Sequence, residues 1–343
     1  GARVKIYYTV RELSGAAGEL WALRAFGTEV VVRSRKAGGH PWLREHLRSN
    51  YSAAWHEMLN DGEVDASVHT PAFTGRWDNY WIEGILWLVR NLVLDGIYLD
   101  GAPSDHRVLR RLRRALRAAG KPDFHLDLHA SCYGNPHLPY AELYAHLDSL
   151  WFGEQCHYHT YSPEEWLAEV AGVAYGLPAQ ILGDNREQWQ GLVFGMLCRI
   201  YPDPQRCNPR PLFKALDELG VGGTPLMLGW WDDSCPVSVR VQGGEGGTKD
   251  VRATVFIGPD GRAAVAVANW ARTQQSAALT ANVSALASLG WRGGRSGGSV
   301  AFVARAIDGF QGSGRFAAGA TFEMNPFRDG FNEGWLFGIV GSA

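Results

Sequence analysis

Leu94-Asp95-Gly96-Ile97-Tyr98-Leu99-Asp100-Gly101 decides how the rest of the chain is read. A short apolar and aromatic run, bounded by turn residues, predicts a buried strand. Asp100 stands where that strand ends. The next segment, Ser104–Gly120, predicts a helix with Ser104 as N-cap, Asp105 in the first turn, and leucines at 109, 112 and 116 among arginines. A strand closing on a carboxylate, then a loop and a helix, make one βα unit. Two readings of Asp100 stay open: a group at a functional site, or a cap for the helix and loop amides.

Outward from this unit the pattern repeats. Strand runs stand at Val4–Val10, Phe124–His129, Ser149–Glu154, Ala179–Asp184 and Thr224–Trp231. Helical segments stand at 16–26, 79–91, 140–147, 163–173 (Ser162 at N-cap, Pro163 at N1), 187–199 and 210–219. Strands alternating with helices indicate parallel βα units. The fold class expected is α/β, a (β/α)8 TIM-type barrel. With the organising strand the runs number six, where that barrel needs about eight. If the run at 224 closes the barrel, its first two strands lie outside this chain, which then reads as a fragment; a short run at 28–32 is the competing extra strand. Residues 34–80 read as one long irregular segment, too rich in histidine and aromatics for disorder.

Past Pro236 the composition changes. Runs at 251–257 and 262–269 flank Gly258-Pro259-Asp260-Gly261, a hairpin signal, and further strands are expected at 277–283, 299–307 and 334–340. The expected division is a catalytic barrel over 1–236 and a C-terminal antiparallel β-sandwich over 237–343 that supplies no catalytic group. Asn282-Val283-Ser284 matches a glycosylation sequon inside a strand run.

Composition excludes several classes of partner. With 33 basic against 35 acidic residues the formal charge is −2, which leaves nothing to draw nucleic acid or an anionic membrane. The basic run Arg107–Arg117 reads as one solvated helix face. No apolar run spans a bilayer. Gly-Ala-Arg-Val-Lys-Ile is a strand start and not a signal peptide; secretion would need a leader upstream of Gly1. The five cysteines lack paired spacing, so neither a disulfide framework nor a CxxC metal signature is expected. Fourteen tryptophans suit stacking on sugar rings, and equally a core.

The strand ends deliver Glu12, Asp100, Asp127 with His129, Glu154, Asp184, and Asp232 with Asp233, accompanied by Tyr98, Trp151, Trp230 and Trp231. In a barrel such groups converge on one face. Carboxylates among aromatics suit glycoside chemistry, where one carboxyl protonates the leaving oxygen and another stabilises or attacks the oxocarbenium-like centre. Asp100 and Glu154 are the expected catalytic pair. Sugar contacts are expected from His69, Arg76, Tyr98, Asp127, His129, Trp151, Asp184, Trp231 and Asp232. Asp127 also reads as an inward carboxylate paired within the barrel, and Asp184 as a helix cap. No cofactor is expected. His125, Asp127 and His129 share one strand face, the alternative being a metal-dependent hydrolase; the other alternative is a catalytically inactive carbohydrate-binding barrel.

The runs YYTVREL (7–13), GIYLDG, LWFGE, WLAEVAG and VFGM together resemble a family related to glycoside hydrolase family 123. The resemblance covers most of residues 3–340, most specifically between about 76 and 235, and implies a barrel glycosidase acting on an exposed sugar. Family 123 enzymes are retaining β-N-acetylgalactosaminidases that use an adjacent Asp-Glu pair and the substrate's acetamido group. Here Asp100 is followed by Gly101. A second resemblance, to retaining α-galactosidase-type barrels, implies a nucleophile at the end of strand four and an acid/base on strand six, which the strand count places at Asp100 and Glu154.

Overall fold

The structure, a computed structural model, describes residues 3–71, 75–101, 105–130, 140–152, 156–182, 187–200, 207–242, 247–294, 298–329, 331 and 333–341. The chain forms two compact units, residues 1–130 with 135–151, and residues 131–134 with 152–343.

The first unit contains β1 (Lys5–Thr9), β2 (Glu12–Ser14), α1 (Glu19–Leu23), α2 (Pro41–Leu47), β3 (Ala53–Met58), β4 (Val64–His69), α3 (Arg76–Asn91), β5 (Gly96–Asp100), α4 (His106–Ala118), β6 (His125–Ala130) and β7 (from Ser149). Strands β1, β5, β6 and β7 lie side by side in that order, and β1–β5 and β5–β6 are parallel. Alternation along each strand sorts the side chains. Ile97, Leu99, Leu126, Leu128 and Leu150 are fully buried on one face. The other face carries Lys5, Tyr7 and Thr9 of β1 in register with Gly96, Tyr98 and Asp100 of β5.

Helix α4 buries Val108, Leu109, Leu112 and Leu116 and turns most of its arginines outward. Arg113 is the exception to the solvated face expected of that run. It is 14% exposed, pairs with Asp148, and donates to the carbonyls of Phe124 (2.6 Å) and His146 (2.8 Å). It thereby ties together the starts of β6 and β7. The N-cap is Asp105, whose carboxylate accepts from Arg107 N at 2.8 Å; the expected cap, Ser104, lies outside the described residues. Two indoles of α3 reach the end of β1: Trp81 Nε1 donates to Thr9 O (3.2 Å) and Trp77 Nε1 to Val10 O (2.6 Å).

The expected irregular segment after β1 is largely ordered. Over 34–80 it holds α2, β3 and β4, and these two strands join β2 in a three-stranded antiparallel sheet in the order β2-β4-β3. Strands β3 and β4 are joined through Asp61-Gly62, with Gly62 at φ +81° and Leu59 N donating to Glu63 O at 2.8 Å. This is the Asp-Gly hairpin chemistry that a tight turn requires. Residues 28–32 are not a strand; they close a 3-10 turn and run on as coil.

The second unit, from Phe152, continues with α5 (Pro163–Glu165), β8 (Ala179–Ile181), α6 (Gln188–Val193), α7 (Arg210–Glu218) and β9 (Leu226–Gly229). Expected helices shrink here. The 163–173 segment is one α turn with a Ser162/Glu165 capping box, then a π turn over 166–170. β9 corrects the expectation that residues 224–231 close a barrel. It pairs antiparallel with β11 and so belongs to the C-terminal sheets, upstream of the junction expected at 236/237.

Those sheets use β10 (Val237–Val241), β11 (Val251–Ile257), β12 (Ala263–Asn269), β13 (Gln275–Ala281), β14 (Val300–Ala304), β15 (Gly314–Ala317), β16 (Thr321–Met324) and β17 (Gly334–Gly341). One has the order β15-β14-β17-β12-β11-β9 and the other β10-β13-β16. Their facing side chains, among them Val255, Val267, Phe302 and Phe337 from the first and Leu279, Phe322 and Met324 from the second, share one core. The hairpin at Gly258–Gly261 joins β11 to β12 as expected, with Gly261 at φ +84°.

Helix α8 (Val283–Ser288) replaces the expected end of a strand, so the sequon lies at its N-terminus. Asn282 Oδ1 accepts from Ala285 N at 3.0 Å. Asn282→Ala is expected to lower unfolding free energy by about 1 kcal/mol, read from a urea transition. The cysteine expectation is also corrected. Cys198 and Cys207 are disulfide-bonded to each other, and Cys156 is disulfide-bonded too. Spacing alone hid this: the two cysteines stand nine positions apart in sequence, with Cα atoms 6.5 Å apart.

Candidate active site

At the C-terminal ends of β1, β5 and β6, three side chains meet. Tyr7 Oη donates to Asp100 Oδ2 at 2.7 Å, and His129 Nδ1 lies 3.0 Å from Asp100 Oδ1. Asp100 can only accept here, so that imidazole nitrogen carries the proton. The carboxylate is 34% exposed and His129 14%, so an incoming molecule can reach Asp100 while the histidine is mostly enclosed. Aromatic rings pave the same face. Tyr98 stacks toward His129 (6.2 Å between centroids), and meets Tyr7 at 6.0 Å and the edge of Trp151 at 5.7 Å.

Electrostatics follow from these contacts. The His129 hydrogen bond holds the Asp100 carboxyl below the ordinary carboxylate range. Burial works against it, and Tyr7 and the Arg11 guanidinium add to the lowering. Burial, then the bond to Asp100, pushes the Tyr7 phenol up, so it remains a donor. Asp100 is therefore an anion at neutral pH, suited to attack or to stabilise positive charge and unsuited to deliver a proton. Tyr7→Phe removes one donor to the anion and is expected to raise the Asp100 pKa. Carboxyl carbon NMR titration reads this directly; an unchanged or lower pKa would show that the Tyr7 bond does not matter.

Gly101, and not a second acid, follows Asp100. Its φ is +86°, and a Cβ there would overlap the Arg11 guanidinium. A glutamate at 101 would need both a left-handed backbone and the space Arg11 fills. The adjacent Asp-Glu pair implied by the resemblance would require the Arg11 side chain to move and a left-handed backbone at a non-glycine residue.

The other expected residues distribute unevenly. Tyr98, Trp151 and His129 join Asp100. Asp127 is corrected: it is 2% exposed, and its carboxylate is taken by Lys5 Nζ (2.6 Å), His125 Nδ1 (2.8 Å) and the Ser149 hydroxyl. On the face of Asp100 it stands in register with Tyr98, two positions before Asp100, and is buried, as the inward, paired reading expects. Arg76 is not brought to Asp100; it pairs with Glu29 (3.5 Å) and covers the Phe26 ring (4.8 Å). His69 pairs with Glu12 across β4 and β2. In the second unit Trp231 stacks on Phe194 at 5.5 Å, and the Asp232 carboxylate accepts from Ser234 N and Oγ (2.8 and 2.6 Å). Glu154 and Asp184 lie outside the described residues. Tyr7 and Arg11 went unnoticed in the sequence. Alternation in Lys5–Thr9 places Tyr7 on the face of Asp100, but only once the two strands are known to be neighbours. Among the described residues no three His, Cys, Asp or Glu side chains gather as a metal site requires, and the 125/127/129 stripe is divided between two carboxylates.

Parallel strands flanked by helices, with a reachable carboxylate at a strand's C-terminal end, are the arrangement by which TIM-barrel enzymes present catalytic groups. The chain belongs to glycoside hydrolase family 123: the family's TIM-barrel domain matches residues 1–201 and its C-terminal domain residues 208–339. Its substrate is accordingly a carbohydrate. Among curated proteins none matches by sequence. Among solved structures it is similar to the noncanonic maltogenic α-amylase AmyB of Thermotoga neapolitana, at 12% identity and TM-score 0.55, covering 98% of this chain and 77% of that one. It is similar also to the α-amylase GTA of Geobacillus thermoleovorans, solved with acarbose, at 10% identity and TM-score 0.55, covering 99% and 78%. At these identities the likeness is one of fold. No described helix is long and apolar enough to cross a membrane.

Proposed function

We propose that this glycoside hydrolase uses Asp100 as nucleophile or charge stabiliser and Glu154 as acid/base, with Tyr98, Trp151 and His129 against the sugar. The observation that carries this is the state of Asp100, an accessible carboxylate kept anionic by His129 and Tyr7. An anion supplies half of the two-carboxylate chemistry, and a separate proton donor supplies the other half. Glu154 follows the β7 run in the sequence, as an acid from a nearby strand end should. The residues after about 237 hold the fold and contribute no catalytic group in this reading, and no nucleic acid is a partner.

The test separates the two roles. Glu154→Ala is expected to slow hydrolysis of aryl glycosides with poor leaving groups by about 10²–10⁴-fold. On dinitrophenyl glycosides, whose leaving group needs no proton, kcat/KM should be far less affected, while kcat falls on both where the same residue is the base of the second step. Equal losses of kcat/KM on both substrates would remove Glu154 from the acid role.

A further inference from the structure

The segment between β1 and α3 forms an open concavity of about 450 Å³, whose lining includes Gly27, Ser49 and the exposed side chains of Arg24, Arg33, His46 and Arg48. That volume falls within the roughly 300–1,000 Å³ of small-molecule sites. None of the groups around Asp100 lines it, and no carboxylate does. Arginine ion pairs among the described residues involve Arg76, Arg107, Arg113, Arg252, Arg262 and Arg305, not Arg24, Arg33 or Arg48.

A plain structural explanation covers part of this charge. Helix α2 ends at the concavity, and Arg24 Nη1 donates to the His46 carbonyl at 2.9 Å. A helix C-terminus carries the equivalent of only about −0.5 charge, against three guanidiniums. The C-cap itself is Arg48, at φ +54°, a position usually given to glycine or asparagine. Among the described residues these exposed guanidiniums thus have no carboxylate in ion-pair contact, and one of their carriers occupies an unfavourable backbone conformation.

Aromatic faces adjoin these cations. Trp42, 39% exposed, stacks on His46 at 4.2 Å, and Arg24 lies over the Trp21 ring at 5.5 Å. Guanidiniums recognise compact oxyanions in a bidentate manner, and indole faces accept the apolar face of a sugar ring. The segment is also a βα connection, leaving the C-terminal end of β1, and in barrels those connections build the substrate side.

The geometry points to this concavity as a binding site for an acidic saccharide unit, one bearing a sulfate ester or a carboxylate, on the glycan whose bond is cut at Asp100. The link to that glycan rests on the proposed function; the oxyanion site does not. Calorimetric titration of the full chain tests it with a 6-sulfated N-acetylhexosamine, a glucuronate-containing disaccharide, its neutral counterpart, inorganic sulfate and a DNA oligomer. One of the acidic sugars should bind at least about tenfold more tightly than the neutral one, the scale of a charge-assisted hydrogen bond, and which of them does identifies the oxyanion. Arg48→Gly keeps the left-handed cap while removing a guanidinium, so folding should hold while affinity falls about tenfold. Adding Arg33→Ala should weaken binding further. Equal binding of the neutral sugar, full affinity in Arg48→Gly, or binding of inorganic sulfate or DNA as tight as the sugar would overturn the assignment. Hydrolysis of a neutral aryl glycoside should be unchanged in Arg48→Gly. Acidic-sugar binding by a protein that hydrolyses no glycoside would sink the catalytic reading alone.

Discussion

Asp100→Asn should lower kcat on an aryl glycoside by about 10³-fold or more, the scale seen when a group central to the chemistry is removed. The substitution is close to isosteric. An asparagine oxygen can still accept from Tyr7 or His129, so the melting transition and binding of an unreactive substrate analogue should stay near those of the parent. What disappears is the negative charge, which no amide supplies to an oxocarbenium-like centre. The pH profile gives a second reading. The Asp100 carboxyl is held below the ordinary carboxylate range by His129, so falling pH should not protonate it until the medium is more acid than about pH 4. An acid limb of kcat/KM well above that value would belong to another group. Hydrolysis by Asp100→Asn at the parent rate would remove Asp100 from the mechanism.

What was legible in the sequence and what was not divide along physical lines. GIYLD announced itself because a mostly buried parallel strand is a nearly continuous apolar run, and the acid that ends it breaks the run visibly. Its aromatic neighbours were legible for the same reason, since Tyr98 and Trp151 occupy strand positions that alternate with Ile97, Leu99 and Leu150. Leu226–Gly229 carries an equally apolar run, but strand identity does not reveal the partner, and its hydrogen bonds go to Thr254–Ile257. Asp127 looked like a functional carboxylate because sequence shows its alternation but not its depth. Its partner Lys5 lies 122 positions away. Tyr7 was invisible as a site residue for that reason too: its bond to Asp100 spans 93 positions. The β3–β4 hairpin was missed despite its Asp61-Gly62 turn, because flanking polar residues such as His56, Glu57 and Asp65 blur the period-two pattern. Tryptophan number proved ambiguous in fact as well as in principle. Trp81, Trp166 and Trp189 are fully buried core, whereas Trp42, Trp55 and Trp87 face solvent.

Asp127→Ala should be the most destabilising change in the first unit's polar interior, by about 3 kcal/mol at neutral pH. The carboxylate is 2% exposed and accepts from Lys5 at 2.6 Å, with His125 at 2.8 Å and the Ser149 hydroxyl also against it. Truncation leaves these groups without their acceptor. Ser149 is 9% exposed and cannot recover its bond from bulk water, whereas Lys5, 32% exposed, partly can. That escape keeps the loss at the lower end for a broken buried pair. The acid dependence has a definite sign. Burial pushes the Asp127 pKa up, but the bonds from His125, Lys5 and Ser149 outweigh it and leave the folded value below the ordinary one. A carboxyl depressed in the folded state contributes stability above its unfolded pKa of about 4, and loses that contribution as pH falls through the folded value. Urea midpoints of the parent and Asp127→Ala should therefore lie far apart at pH 7 and converge in acid, as the parent carboxylate protonates. Asp127→Asn retains one acceptor oxygen and should fall between them at neutral pH. Parallel curves for parent and alanine variant across that acid range would show that Asp127 is not held as an anion by its three partners.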